Sequence, residues 1–229
     1  MEEVKPNTLY NMDFRKGLEN FDFSNVKLFV TDPPYNIGFE YDNYSDDLSE
    51  EEYIELICNF QNIPLAIIHY PEETMKYFVP ALGVPDEVVV WAYNSNIGRQ
   101  SRLINFYGIK PDFRKVKQPY KNPTDKRIAA RIANGHTGAK MYDWFSDIQL
   151  VKNISKEKLN HPCPVPVELM ERIILLCTNE GDLVCDPFMG KGTTAIAALN
   201  TGRKYVGFEL SKKYHQTSLV EVENWSNNE

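Results

Sequence analysis

The stretch "DLVCDPFMGKGTTAIAALNTG", Asp182 to Gly202, leaves a chain little freedom. A short apolar run ends on Asp186, Gly190 and Gly192 make a turn, and helical spacing follows from Thr193 until Gly202, the expected C-cap. A strand turning directly into a helix is half of a βαβ unit, and "KYVGFEL" supplies the second strand with Glu209 at its end. Further strands are expected at "NTLYNMD", "VKLFVTD", "PLAIIHY" and "EVVVWAY". Helices are expected at "EEEYIELICNF", behind a Ser49–Glu52 capping box, at Val167–Cys177 and at "SKKYHQTSLVEVENW". This alternation predicts an α/β fold, a mostly parallel sheet with helices on both faces. The 229 residues suffice for one sizeable core but not for two full domains. Residues 114–160 break the alternation and read as an insertion between the segments 1–113 and 161–229, which together make one domain.

A second stretch, "TDPPYNIG", Thr31 to Gly38, follows the β-formers "NVKLFV". Proline has no N–H for a ladder, so this strand must stop near Asp32. Asp32, Pro33, Pro34 and Tyr35 are thereby expected at a strand's carboxyl end, where ligands collect in open α/β sheets. For the glycine turn three readings compete. Gly190, Gly192 and Ala195 fit the dinucleotide pattern GxGxxA, which alone is weak. A Walker loop fails, because Cys185 stands where glycine is needed and Gly192 where Ser or Thr is needed. The third reading is S-adenosyl-L-methionine: Asp186 directly before the turn would repel a pyrophosphate and favour a cation or amine. An acid placed as Glu209 is commonly bonded to ribose hydroxyls. A tight turn without a ligand is the bland alternative.

The net charge of −7 argues against a nucleic-acid partner until its distribution is considered. Residues 40–55 carry eight acids and no base, which reads as a solvated face or partner surface, with Tyr41 and Tyr44 as candidates for a lid. Residues 114–140 carry eight bases against the single acid Asp125. Arg114, Lys115, Lys117, Lys121, Lys126, Arg127, Arg131 and Lys140 are therefore candidate phosphate contacts. Cys58, Cys163, Cys177 and Cys185 form neither a metal pair nor a disulfide framework, and His69, His136 and His215 lack partners at metal spacing. No metal is expected, and the histidines read as surface or satisfied core residues. Trp91 and Tyr93, expected on a strand neighbouring that of Asp32, read as core packing. With no signal-peptide pattern and no run of ~20 apolar residues, the expectation is a cytoplasmic protein without a membrane partner.

"TDPPYNIG", "NHPCPVPVELMERII" and "DPFMGKGTTAIAALNTGRKYVGFEL", in this order, resemble the amino-group DNA methyltransferases, specifically the circularly permuted β class. The resemblance covers nearly the whole chain. It implies a Rossmann-like, S-adenosyl-L-methionine-dependent methyltransferase fold, with the catalytic half first and a target-recognition segment inserted before the cofactor half. It implies that Asp186, Phe188, Gly190, Gly192 and Thr193 hold the cofactor, that Glu209 binds its ribose, that Asp13 approaches the adenine amine, and that His161 and Pro162 belong to the motif preceding the cofactor loop. Where many members carry lysine in that motif, this chain has Val165. Asp32 and the Pro33 carbonyl are implied acceptors for a base's exocyclic amine, Asp32 also a contact to the cofactor's amino group, and Tyr35 a stacking platform. Aspartate opening the tetrapeptide favours adenine N6 in double-stranded DNA over the runner-up, cytosine N4. The resemblance also brings a homodimer and a cognate restriction endonuclease into view as partners. An RNA or protein methyltransferase and a dinucleotide-binding Rossmann protein are the rival readings.

Overall fold

The order of strands across the sheet, not along the chain, positions everything that follows. The structure, a computed structural model, describes residues 1–36, 38–41, 44–95, 98–151 and 165–226. The main sheet has eight strands: β1 (Thr8–Tyr10), β2 (Val26–Thr31), β3 (Leu65–His69), β4 (Glu87–Ala92), β5 (Ser101–Tyr107), β6 (Trp144–Phe145), β7 (Leu183–Asp186) and β8 (Lys204–Phe208). They lie side by side in the order β6-β4-β5-β3-β2-β7-β8-β1. All pairings are parallel except those of β5, which runs against both β3 and β4.

The chain moves outward from β7 to β8 on one side and from β2 to β3 on the other. The topological switch point therefore lies between β2 and β7, and the carboxyl ends of these two strands open onto the crevice where such sheets bind ligands. Thr31 and Asp186, 155 residues apart in sequence, meet there.

The strands fold as they do because both faces are covered. Along β2, Leu28 and Val30 enter one core with Trp91, Phe106, Leu169 and Ile173, whereas Phe29 enters the other with Tyr53, Ile57, Ile67 and Phe208. Helices α1 (Phe14–Asn20) and α2 (Glu50–Cys58) contribute to the second core. The Ser49–Glu52 capping box starts α2 as its sequence requires. Between β3 and β4, residues 71–82 are helical, with Thr74–Phe78 in a π-helical turn.

The strand "EVVVWAY" is not a neighbour of the Asp32 strand, contrary to the sequence expectation: β5 and β3 intervene. Polar Ser101, Arg102 and Asn105 hide β5 from an apolar-run search, yet its residues from Ile104 to Tyr107 are buried. In the basic stretch, Lys117–Gln118 pairs antiparallel with Ala139–Lys140, and α3 (Lys126–Ala133) lies between them with no buried residue. The same stretch then enters the sheet through β6, and Met141, Phe145 and Ile148 join the first core. Helices α4 (Val167–Cys177), α5 (Thr193–Asn200) and α6 (Lys212–Ser226) complete the fold. Among the described residues, no helix is long and apolar enough to cross a membrane.

Candidate active site

Asp32 directly follows Thr31, the last residue of β2, and precedes the prolines, with its side chain only 14% exposed. Tyr35, three residues on, donates its hydroxyl to Asp32 Oδ1 at 2.5 Å. Arg102 of β5 places Nη1 at 3.7 Å from Asp32 Oδ2, a charge contact rather than a hydrogen bond. Burial pushes the Asp32 carboxyl up to about 6; Arg102 and the Tyr35 hydroxyl pull it down, and Asp186 pushes it further up. The prolines behind it are fixed from below. Tyr53 of α2 donates its hydroxyl to the Pro34 carbonyl at 2.6 Å and lies 3.3 Å from His69 Nε2. His69 Nδ1 accepts the Tyr70 N–H at 2.9 Å, so Nε2 carries the proton and donates to Tyr53. Burial, with Arg102 and Arg99 nearby, lowers the His69 imidazole to about 3 and keeps this chain neutral. Among the described residues no donor reaches the Pro33 carbonyl.

Across the switch point, Asp186 ends β7 in a cage of donors. Its Oδ1 accepts from the Thr31 hydroxyl at 2.7 Å and the Phe188 N–H at 3.0 Å, and its Oδ2 accepts from the Thr194 hydroxyl at 2.5 Å. These bonds tie the glycine turn to β2, so the two quoted stretches are built as one unit. Burial nevertheless raises the Asp186 carboxyl. Gly190 and Gly192 adopt φ of 54° and 88°, a left-handed backbone that side chains resist, and Gly192 then caps α5 ahead of Thr193. Glu209, past the end of β8, accepts the Gly190 N–H at 2.9 Å and the Ser211 N–H at 2.7 Å. Burial outweighs these bonds and, with Asp186 adding to it, pushes Glu209 up to about 7. Lys191, between the glycines, is buried and has Glu221 of α6 acting on it.

The remaining predicted residues divide. Asp13 caps α1 through the Arg15 N–H and is gripped by the Arg15 guanidinium, Nη2 to Oδ2 2.6 Å, which holds its carboxyl below the usual range. An incoming amine would share that carboxylate with Arg15. His161 and Pro162 lie outside the described residues, as do the side chains of Tyr41 and Tyr44. Of the basic side chains, Lys115 is committed to the end of α4, donating to the Thr178 carbonyl and Asn179 Oδ1. Arg114 pairs with Asp112, Lys121 sits over the Tyr142 ring, and Lys126, Arg127 and Arg131 stand exposed on α3 with Lys117 and Lys140 exposed on the ribbon. No group of His, Cys, Asp and Glu among the described residues could hold a metal ion.

Residues 59–220, a span that contains β3 through the glycine turn and most of α6, match the N6/N4 methylase family, described as DNA methylase. The chain belongs to this family. The methylase is 28% identical over 216 residues to the type II methyltransferase M.HpaI of Haemophilus parainfluenzae, covering 87% of this chain and 68% of that protein. It is also 28% identical over 243 residues to the DNA adenine methyltransferase YhdJ of Escherichia coli K12, covering 93% and 81%. Among solved structures it resembles the M1.HpyAVI–SAM complex with TM-score 0.63 at 23% identity, covering 94% of this chain and 98% of that one. The PvuII cytosine-N4-specific DNA methyltransferase superposes with TM-score 0.65 at 17% identity, covering 99% and 93%. At these identities the structural likeness is one of fold, the Rossmann-like methyltransferase fold.

Sequence reasoning missed the part of the methylase site that comes from β3 and β5. Arg102 is a lone charge inside an apolar strand pattern, the one local signal that was available. The Tyr53–His69 chain had none, because its members meet only when α2 packs under β3.

Proposed function

We propose that this methylase transfers the methyl group of S-adenosyl-L-methionine to the exocyclic N6 of adenine in double-stranded DNA, on a base flipped out of the duplex. The observation that carries the reading is the juxtaposition of Asp32 and Asp186 on adjacent central strands, coupled through Thr31 at the switch point. Three carboxyls stand here with their affinity for protons raised by burial, and the Asp186 charge adds to it at Asp32 and Glu209, which suits a cationic ligand and opposes a pyrophosphate. S-adenosyl-L-methionine supplies an electrophilic methyl on a sulfonium. Phe188, Gly190, Gly192 and Thr193 line the turn that would hold it, and Glu209 would receive its ribose.

The amine of adenine is a weak nucleophile because its lone pair is delocalised into the ring. Asp32 and the Pro33 carbonyl, two acceptors on a proline-stiffened turn, draw its two N–H bonds into place and free the lone pair for attack. As the N–CH3 bond forms and the S–CH3 bond breaks, the amine becomes cationic and gives its proton to Asp32, whose carboxyl near 6 is suited to take it and pass it to water. Tyr35 offers its ring to the extruded base, for which unstacking costs a few kcal/mol. Exposed Lys126, Arg127 and Arg131 of α3 hold the duplex by its phosphates. The chain order, DPPY before DPFMGKG with the basic stretch between, supports assignment to the permuted β class and to 114–160 as the target-recognition segment.

The test is to incubate unmethylated duplex DNA, and in parallel RNA and protein, with the enzyme and labelled cofactor, to digest the labelled material, and to identify the modified nucleoside or residue by mass spectrometry. N6-methyladenine is expected; N4-methylcytosine would overturn the choice of base, and label only in RNA or protein would overturn the substrate class.

A further inference from the structure

Arg102 is an unusual side chain to find beside this carboxylate. It is 5% exposed, in the middle of the sheet, on the strand that runs against its neighbours. Its guanidinium carbon lies 5.1 Å from the Tyr35 ring centre, 5.3 Å from Tyr70, 5.4 Å from Trp91 and 5.8 Å from Tyr93. Its Nε is buried without a hydrogen-bond partner. A buried cation missing one of its bonds is costly, and a fold that merely needed to fill this space would do better with an apolar side chain. Four aromatic faces surround the group, and the Tyr93 hydroxyl also acts on it.

We propose that Arg102 is a positioning residue for methyl transfer, holding the Asp32 carboxylate charged and oriented so that Oδ2 is left open for the amine of the base. This inference rests on the reading of Asp32 given above. The geometry separates the two carboxylate oxygens. Oδ1 is occupied by the Tyr35 hydroxyl, whereas Oδ2 faces the guanidinium at 3.7 Å, near enough to be stabilised by its charge and too far to be used up as an acceptor. The groups that set the ionisation of Asp32 are Arg102 from β5, Tyr35 from its own turn and Asp186 from β7; Tyr70 and Tyr93 surround Arg102 in turn. Of these, Arg102 is the single cation. Burial alone would lower the Arg102 guanidinium, but Tyr35, Asp32, Tyr93 and Tyr70 together raise it, so it stays charged at every pH an assay uses.

The experiment is a pH profile of kcat/KM for methyl transfer to unmethylated duplex DNA by the full chain, for wild type, Arg102→Met and Arg102→Lys. Removing the charge is expected to move the acid limb upward by about one to three pH units, with ~10-fold less activity per unit below it. Arg102→Lys is expected to restore the wild-type limb in part, because it returns a charge without the planar fork. A filler role predicts something else: equal loss at every pH, with lysine no better than methionine, and that result overturns the proposal. So does an unmoved acid limb in Arg102→Met. In the wild-type protein, carbon-13 NMR with the Asp32 signal assigned by its absence in Asp32→Asn is expected to show a carboxylate at neutral pH. A protonated group there refutes the proposal even if neither Arg102 variant folds. Failure of the underlying reading would look different, as a wild-type enzyme that methylates no DNA or an Asp32→Asn variant that retains full turnover.

Discussion

Replacing Asp32 by Asn should make the ligand-free methylase more stable and nearly inactive. The folded protein holds the Asp32 carboxyl at about 6 against an ordinary value of 3.8. At about 1.4 kcal/mol per pH unit, keeping it ionised above that range costs the fold about 3 kcal/mol. Asparagine resembles the protonated acid in shape and can still accept the Tyr35 hydroxyl, so it removes the cost without opening a cavity. For a chain of this length the gain corresponds to a rise of about 6 °C in Tm. The sign follows from linkage: a raised carboxyl means that the folded state binds its proton more tightly than the unfolded one. Wild-type stability therefore falls as pH rises from about 4 to about 6 and is level with respect to this group above that. The advantage of Asp32→Asn should be complete near neutrality and vanish near pH ~4; Glu209 cancels from the difference, and relief of the repulsion with Asp186 is part of the gain. Urea denaturation of both proteins across this pH range measures it directly. Turnover, measured alongside, should fall by ~100-fold or more, because the amide cannot take the proton of the methylated amine. An Asp32→Asn variant less stable than wild type at neutral pH, or equally favoured at pH ~4, would refute the electrostatic account of the site.

Tyr53→Phe removes the donor to the Pro34 carbonyl and leaves His69 Nε2–H buried without its acceptor; a loss of about 2 kcal/mol in chemical denaturation is expected, together with a lower kcat from a looser turn. Exchanging Lys126, Arg127 and Arg131 for glutamine should weaken DNA binding and reduce the slope of log affinity against log salt by about 2 to 3, and an unchanged slope would remove α3 from the interface. Binding of S-adenosyl-L-methionine brings a cation toward Asp32 and Glu209, which are pushed up to about 6 and about 7 and so are partly protonated at about pH 6.5, and protons should be released. Titration calorimetry in buffers of different ionisation enthalpy reads their number, and proton uptake would contradict the placement of the sulfonium near these carboxyls.

The parts of this molecule that follow from local rules were legible in the sequence. The prolines at 33 and 34 end β2 because no other backbone chemistry is open to them. The paired glycines adopt left-handed φ where the turn into α5 demands it, and the Ser49–Glu52 box starts α2 where its residue types meet. What was not legible depends on register between strands far apart in the chain. Strand β5 mixes Ser101, Arg102 and Asn105 with apolar residues, so its alternation fails, yet its antiparallel pairing with β3 and β4 fixes Arg102 beside Asp32. For the same reason β4 was expected two strands too close to the site. The short β6 could not be foreseen inside a basic stretch, since two residues carry no periodicity and only the sheet edge makes Trp144–Phe145 a strand.

The distribution of charge explains why these strands are arranged as they are. A carboxylate that must accept a poorly nucleophilic amine is most effective where water does not compete for it, yet burial drives it toward the neutral form, a weaker acceptor that cannot take the amine's proton. The site resolves this opposition with one buried guanidinium and one phenol hydroxyl on Asp32, while it leaves Asp186 with three neutral donors and Glu209 with two backbone amides. Of the three, cationic help is confined to Asp32, the carboxyl proposed to receive the base. The other two depend on dipoles, which hold the turn without neutralising it and so preserve the negative environment that a sulfonium would find attractive. An additional base near Asp186 would satisfy the ligand-free fold better and remove that attraction. Incomplete compensation at Asp186 and Glu209 is therefore what a site for a cationic methyl donor requires, and full compensation at Asp32 would leave its Oδ2 unavailable to the substrate.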